Sequence, residues 1–196
     1  MKKYAYIYLI VMINTNLNKG KILIAEPAIL NDSSFNRSVI LLTEHNNEGS
    51  VGFILNKPSK YTIFDLIPEI NSDHIVYNGG PVSKDNLYFI HSVPELIPNS
   101  IQIDHGIFWA GDFKWVKSLL INKTINPEQI RFFLGYTGWS PNQLLSEMKT
   151  TSWMIKNNDY HNILSVSTST FWRNELIKSG GEYQIWANAP EDPNLN

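Results

Sequence analysis

The apolar residues of this chain come in short, nearly unbroken runs, each closed by turn chemistry, and this limits the folds open to it. Ile22-Leu23-Ile24-Ala25 ends at Glu26-Pro27, and Val39-Ile40-Leu41-Leu42 ends near Asn46-Asn47-Glu48-Gly49. Val51 to Leu55 ends at Asn56-Lys57-Pro58. Runs of this length, unbroken by polar residues, predict strands covered on both faces. The short loop between the second and third predicts a hairpin.

Further strands are expected at Ile75–Tyr77, Leu87–His91, Ile101–Asp104, Ile107–Ala110 and Arg131–Tyr136. Asn31-Asp32-Ser33-Ser34 reads as a turn. A short helix is expected over 62–67, and Asp112 caps another from Phe113 to about Ile121. Ser140-Pro141-Asn142-Gln143 predicts a well-marked helix start, with Ser140 as N-cap and Gln143 completing a capping box. A last helix is expected from Phe171 to Lys178, closed by Gly180-Gly181. Helices and strands interleave without regular β-α-β units. The expected class is therefore mixed α/β or α+β, with a largely antiparallel sheet.

Composition narrows the function classes. Net charge is -2, from 16 basic and 18 acidic residues, so no global basic excess points to nucleic acid. The excess is local: residues 1–60 carry +3. No cysteine is present, which removes disulfides, thiolate metal sites and cysteine nucleophiles together. Lys2-Lys3 followed by the apolar run Tyr4–Ile13 imitates a secretory signal, but no small-residue cleavage pattern follows. Ten residues are also too few to span a bilayer as a helix. A start of translation at Met12 is an alternative account of the first 11 residues. Residues 1–16 are read as an extension, 17–188 as one domain and 189–196 as a frayed tail.

Four stretches, taken in order, resemble one family. They are Gly20–Pro27 continuing through Asp32, Phe35, Arg37 and Ser38 to Glu44-His45-Asn46; Glu48–Pro58; Gly79-Gly80-Pro81-Val82 with Leu87–His91; and Phe133–Leu144 with Glu147 and Trp153. In that order and spacing the chain resembles the YqgE/AlgH family over roughly residues 17–188. The resemblance implies a branched β-sheet rolled into a pseudo-barrel with flanking helices. It also implies the family's label of transcriptional regulator, attached through a link to alginate production. It supplies no reaction, cofactor or catalytic residue.

Candidate chemistry must come from the residues. None of His45, His74, His91, His105 and His161 stands at local zinc-ligand spacing from another. Glu44, His45 and His91, at strand ends, are the histidine group best placed to assemble in space. No Gly-X-Ser-X-Gly elbow is present. Gly79-Gly80 and the Gly135–Ser140 turn lack phosphate-loop signatures, although a strand leading into a helix start at Gly138-Trp139-Ser140 suits an anion. Arg37 stands out because the chain has three arginines beside 13 lysines, and arginine makes planar, bidentate contacts that lysine cannot. It is expected either to pair with Glu26, Asp32 or Glu44, or to hold a carboxylate or phosphate in a pocket. The tryptophans are expected to fill the core, whereas an exposed Trp139–Trp153 cluster would mark a groove.

These observations predict a cytoplasmic, non-catalytic protein that binds a protein or small-molecule partner, with no cofactor, metal or membrane association. The alternatives are an enzyme built around Arg37, His45 and His91, and a direct DNA-binding regulator. The charge balance resists the second.

Overall fold

The structure, a computed structural model, describes residues 17–27, 32–150 and 152–189. The expectations for residues 1–16 and for the tail beyond Ala189 lie outside these. Ten strands form one sheet: β1 (Ile22–Ala25), β2 (Val39–Asn46), β3 (Gly49–Ile54), β4 (Pro58–Thr62), β5 (Ile75–Asn78), β6 (Val82–His91), β7 (Ile101–Asp104), β8 (Ile107–Trp109), β9 (Ile130–Trp139) and β10 (Trp153–Lys156). The helices are α1 (Ile63–Leu66), α2 (Phe113–Ile121), α3 (Gln143–Lys149), α4 (Phe171–Ser179) and α5 (Tyr183–Ala187), with a 3-10 turn at Ile163–Ser165. None is long and apolar enough to cross a membrane.

The apolar runs form the expected strands. Ile22–Ala25 and Val39–Leu42 are fully buried, and β2 and β3 pair as a hairpin whose turn is fastened by the Glu48 N–H donating to Asn46 Oδ1 (2.7 Å). The main path runs β10-β1-β2-β3-β9-β6-β8-β7. Every ladder is antiparallel except β5 on β9.

The sheet branches at β9. One edge of β9 carries β6, while the other carries β5 along Phe132–Leu134 and then β3 along Thr137–Trp139. The change of partner falls at Gly135, whose φ is +70°. A Cβ there would lie 2.6 Å from Gly80 O and 2.7 Å from Val82 O. Only glycine allows both the left-handed backbone and the close approach of the 80–84 segment. The path ends at β10 and β7 without a ladder between them, so the sheet rolls but stays open. Lys19 Nζ reaches Gln102 O (2.9 Å) near the β7 end.

Neighbouring residues of β9 serve two cores, because successive side chains point to opposite faces. Phe133 stacks on Phe53, centroids 4.8 Å apart, in the core formed with β1–β3 and α4. Phe132 packs with Ile63, Val76, Val116 and Leu120 on the other side. Both are fully buried, each contributing about 2–3 kcal/mol of apolar burial.

Several elements depart from expectation, among them α5, which follows the helix expected to be the last. Pro58–Thr62 is a strand, masked in the sequence by its proline and polar residues; it lies at an edge, paired only with β5. Trp153–Lys156 is a second missed edge strand, only four residues long and paired with β1 alone. The helix after Ser140 starts at Gln143, with Asn142 at the N-cap in left-handed conformation (φ 63°) and no side-chain cap. The Gln143 side chain does reach back, its Oε1 accepting the Ser140 N–H (3.0 Å), so half of the expected capping box exists.

Candidate functional site

The turn before β2 builds one wall of the site. Asp32 Oδ1 accepts the N–H groups of Ser34 (2.8 Å) and Phe35 (3.2 Å), folding residues 32–36 back on themselves. The chain then leaves through Arg37, whose φ is +54°. Asn56 secures this non-glycine residue in the left-handed region. Its Nδ2 donates to Arg37 O (2.9 Å), and its Oδ1 accepts the Val39 N–H (2.8 Å). A side chain held in that region costs on the order of 1–3 kcal/mol and persists where its surroundings over-determine it.

The opposite wall comes from α4 and α5. Phe171, Trp172, Glu175 and Leu176 form the buried stripe of α4. Trp172 Nε1 donates to Ala25 O (2.8 Å), which locks the helix to β1. The Arg37 guanidinium lies 5.0 Å from the Trp172 ring centroid, and its Nη2 donates to Ala189 O (2.9 Å). Arg173, next along the helix, is exposed and donates to Asn188 Oδ1 (2.7 Å).

Between these walls lies a cavity of about 860 Å³, within the usual range for ligand pockets. Arg37, Lys57 and Arg173 line it, with Asn36, Asn56 and Trp172. No acidic residue lines it among the described residues. Lys57 Nζ donates to Ser34 O (2.8 Å) and Ser33 O (3.3 Å). Burial pushes the Lys57 ammonium down from its ordinary pKa, and nearby Asp32 partly offsets this. Three cationic side chains thus line one recess, with the Asp32 carboxylate close enough to act on Lys57. A recess of this kind favours an anion, whose charge is attracted more strongly there than in bulk water.

The carboxylates expected to pair with Arg37 are engaged elsewhere. Glu26 accepts the Tyr183 hydroxyl (3.0 Å), Asp32 serves its own turn, and Glu44 lines a different groove. That groove, about 450 Å³, gathers Glu44, Gly138, Trp139 and Ser140 at the far end of β9, with Glu48 and no cation in its described lining. Trp139 and Trp153 are buried there, as core residues. Glu147 Oε2 accepts both indole N–H groups at 2.8 Å, and Oε1 accepts the Gln143 amide (3.0 Å).

Arg37, His45 and His91 do not converge. Arg37 and His45 lie at opposite ends of β2, about 26 Å apart along the strand. His45 pairs with Ser50, which pairs with Trp139, whereas His91 pairs with Ile130 at the other end of β9. His45 Nδ1 meets Ser50 Oγ (2.7 Å) across the hairpin. His91 is fully buried, stacks on Phe108 and accepts the Val93 N–H through Nδ1 (3.3 Å). Burial lowers the pKa of both rings. Gly79 and Gly80 are packed against β9: a Cβ on Gly79 would lie 2.2 Å from Gly135 O, and one on Gly80 2.3 Å from Tyr136 O. Gly80 also borders a smaller recess beside the cationic cavity.

Sequence reasoning singled out Arg37 but missed Lys57, Trp172 and Arg173. The scarcity of arginine could have pointed to Arg173 as well. It would equally have pointed to Arg131, which is buried and structural, donating to Leu55 O (2.9 Å) and Leu164 O (2.5 Å). Among the described residues, no group of three His, Asp or Glu side chains could hold a metal ion.

Comparison with known proteins adds the family. The AlgH-like family profile matches residues 22–184. A UPF0301 protein of Cytophaga hutchinsonii is 40% identical over 182 residues, covering 92% of this chain and all of that one. A UPF0301 protein of Bacteroides fragilis is 37% identical over 185 residues, covering 93% of each. Among solved structures, a Corynebacterium diphtheriae protein shares the fold at TM-score 0.71 and 19% identity, over 88% of this chain and 92% of that one. The AlgH protein from Pseudomonas aeruginosa does so at TM-score 0.67 and 23% identity, over 87% and 93%.

Proposed function

This chain belongs to the AlgH-like family, and from that premise we propose that it is a non-catalytic binding protein for a small anionic ligand. The observation that carries the reading is the convergence of Arg37, Lys57 and Arg173 on one cavity with no acidic residue in its described lining. Its described lining also holds no histidine, the side chain most often used for general acid–base work near neutral pH. In this reading the protein acts in the cytoplasm, and any regulatory role passes through ligand occupancy rather than DNA contact. The cations sit in a recess instead of along a helix shaped for a groove, and the net charge is -2.

Calorimetric titration with inorganic phosphate tests the reading. Binding that weakens as salt rises, and that Arg173→Ala weakens about tenfold or more, is the expected result. Absence of binding at low ionic strength would refute it.

A further inference from the structure

We propose that the acidic pair Glu191-Asp192 of this chain docks at the mouth of the cationic cavity and gives way when a small anion binds. This goes beyond the anion-binding reading above and rests on it. The last two residues described before the pair are each held by an arginine of the cavity. Asn188 Oδ1 accepts from Arg173 Nη2 (2.7 Å), and Ala189 O accepts from Arg37 Nη2 (2.9 Å). Both residues line the cavity. The sequence then continues Pro190-Glu191-Asp192-Pro193. At full extension the Glu191 Cα lies within about 7 Å of the Ala189 Cα. Every path the chain can take from Ala189 therefore keeps Glu191 within one screening length, about 10 Å at 0.1 M salt, of the cavity's rim.

The charges are complementary. Arg37, Lys57 and Arg173 line the cavity, and no described lining residue is acidic. The pair brings two adjacent carboxylates, and no lysine or arginine follows Lys178 to compete for them within the tail. The arginines keep their hydrogen bonds to Asn188 and Ala189, and the carboxylates are added beside them. Tethering sets the strength of the contact. A link of one or two residues holds the carboxylates at an effective concentration on the order of millimolar, so a free anion must displace them. Occupancy of the cavity is thereby coupled to the position of the tail, which is the kind of change a partner could read.

The test uses the full chain at low ionic strength. The proteins are wild type, Glu191→Gln/Asp192→Asn, and Glu44→Gln/Glu48→Gln, which removes the same charge from the far groove. Arginine Nε–H signals are recorded without ligand, and each protein is then titrated calorimetrically with inorganic phosphate. In the tail variant the Arg37 and Arg173 signals should shift, and phosphate should bind about fivefold or more tightly than to wild type, because the tethered competitor is gone. The far-groove variant should do neither. Unmoved arginine signals, equal phosphate affinity in wild type and tail variant, or an equal gain in the far-groove variant would overturn the tail contact and leave the anion-binding reading standing. Shifted signals with no phosphate binding to any of the proteins would overturn the anion-binding reading, and displacement of the tail with it.

Discussion

At the corner where β9 gives way to α3, one carboxylate closes a polar network: Glu147 takes both tryptophan N–H groups and the Gln143 amide. At the corner where β2 begins, Arg37, Lys57 and Arg173 line one cavity, and each also holds a carbonyl or amide oxygen. Both corners carry motif residues, aromatic side chains and left-handed backbone. They differ in charge: a carboxylate stands at the centre of the first, and three cationic side chains line the second. A network that satisfies itself holds a helix to a sheet, whereas like charges gathered around a space leave work for a ligand. Substitutions should separate the two kinds of corner.

The largest effect should come from Gly135→Ala, which disturbs the branch between them. The new Cβ meets two carbonyl oxygens and occupies a backbone region unfavourable to it, costing on the order of 4 kcal/mol. Gly138→Ala is the control, because its φ is not positive and its nearest contact is the edge of the Tyr136 ring at 3.2 Å. Denaturant unfolding of the pair should give a loss for Gly135→Ala several times that for Gly138→Ala. Equal losses would contradict the branch-point account.

Glu147→Ala should follow, at about 3 kcal/mol, because it leaves two largely buried indole N–H groups without their acceptor. Equilibrium unfolding followed by tryptophan emission measures this. Anion binding in the cavity should remain, since Glu147 belongs to the closed corner.

A smaller effect depends on pH. Burial lowers the pKa of His91, with the Ala110 backbone and Glu95 acting in the opposite direction. The folded state thus keeps the ring neutral, while the unfolded ring takes up a proton near pH 6.5. Stability should therefore fall as pH drops below about 6.5 and level off below the lowered folded value. His91→Gln should shallow this slope in thermal melts from pH 7 to pH 5. It should not remove it, because burial lowers His45 and His74 in the same direction.

Ser140→Ala should do least, under about 0.5 kcal/mol. A working N-cap serine would be worth about 1 kcal/mol, but Asn142 holds the cap position and Ser140 contributes its backbone N–H. Thermal melting distinguishes the two values.

The sheet was legible where apolar runs declare buried strands, as at Ile22–Ala25 and Val39–Leu42. It was hidden at the edges: Pro58–Thr62 is largely exposed and polar, and Trp153–Lys156 is too short, at four residues, to show a pattern. The joint after β9 was half legible. Gln143 reaches back as its spacing suggests, but the chain turns through Asn142, and competition between two adjacent polar residues for one cap is settled by backbone geometry. The cavity was legible only at Arg37. Lys57 and Arg173 lie 20 and 136 residues further along the chain and meet Arg37 through tertiary packing, which no local spacing records. The proposed His45–His91 pairing failed to assemble because strand register, unseen in the sequence, sends the two rings to opposite ends of β9.

The central claim is that the cationic cavity, and not the closed corner, receives the ligand. An NMR titration with inorganic phosphate, following backbone amide, arginine Nε–H and indole Nε1–H signals, tests it most directly. The account predicts saturable shifts for Arg37, Arg173 and Trp172, with the Trp139 and Trp153 indoles unmoved. Shifts centred on Gly138, Trp139 and Ser140, or none at the two arginines, would contradict it.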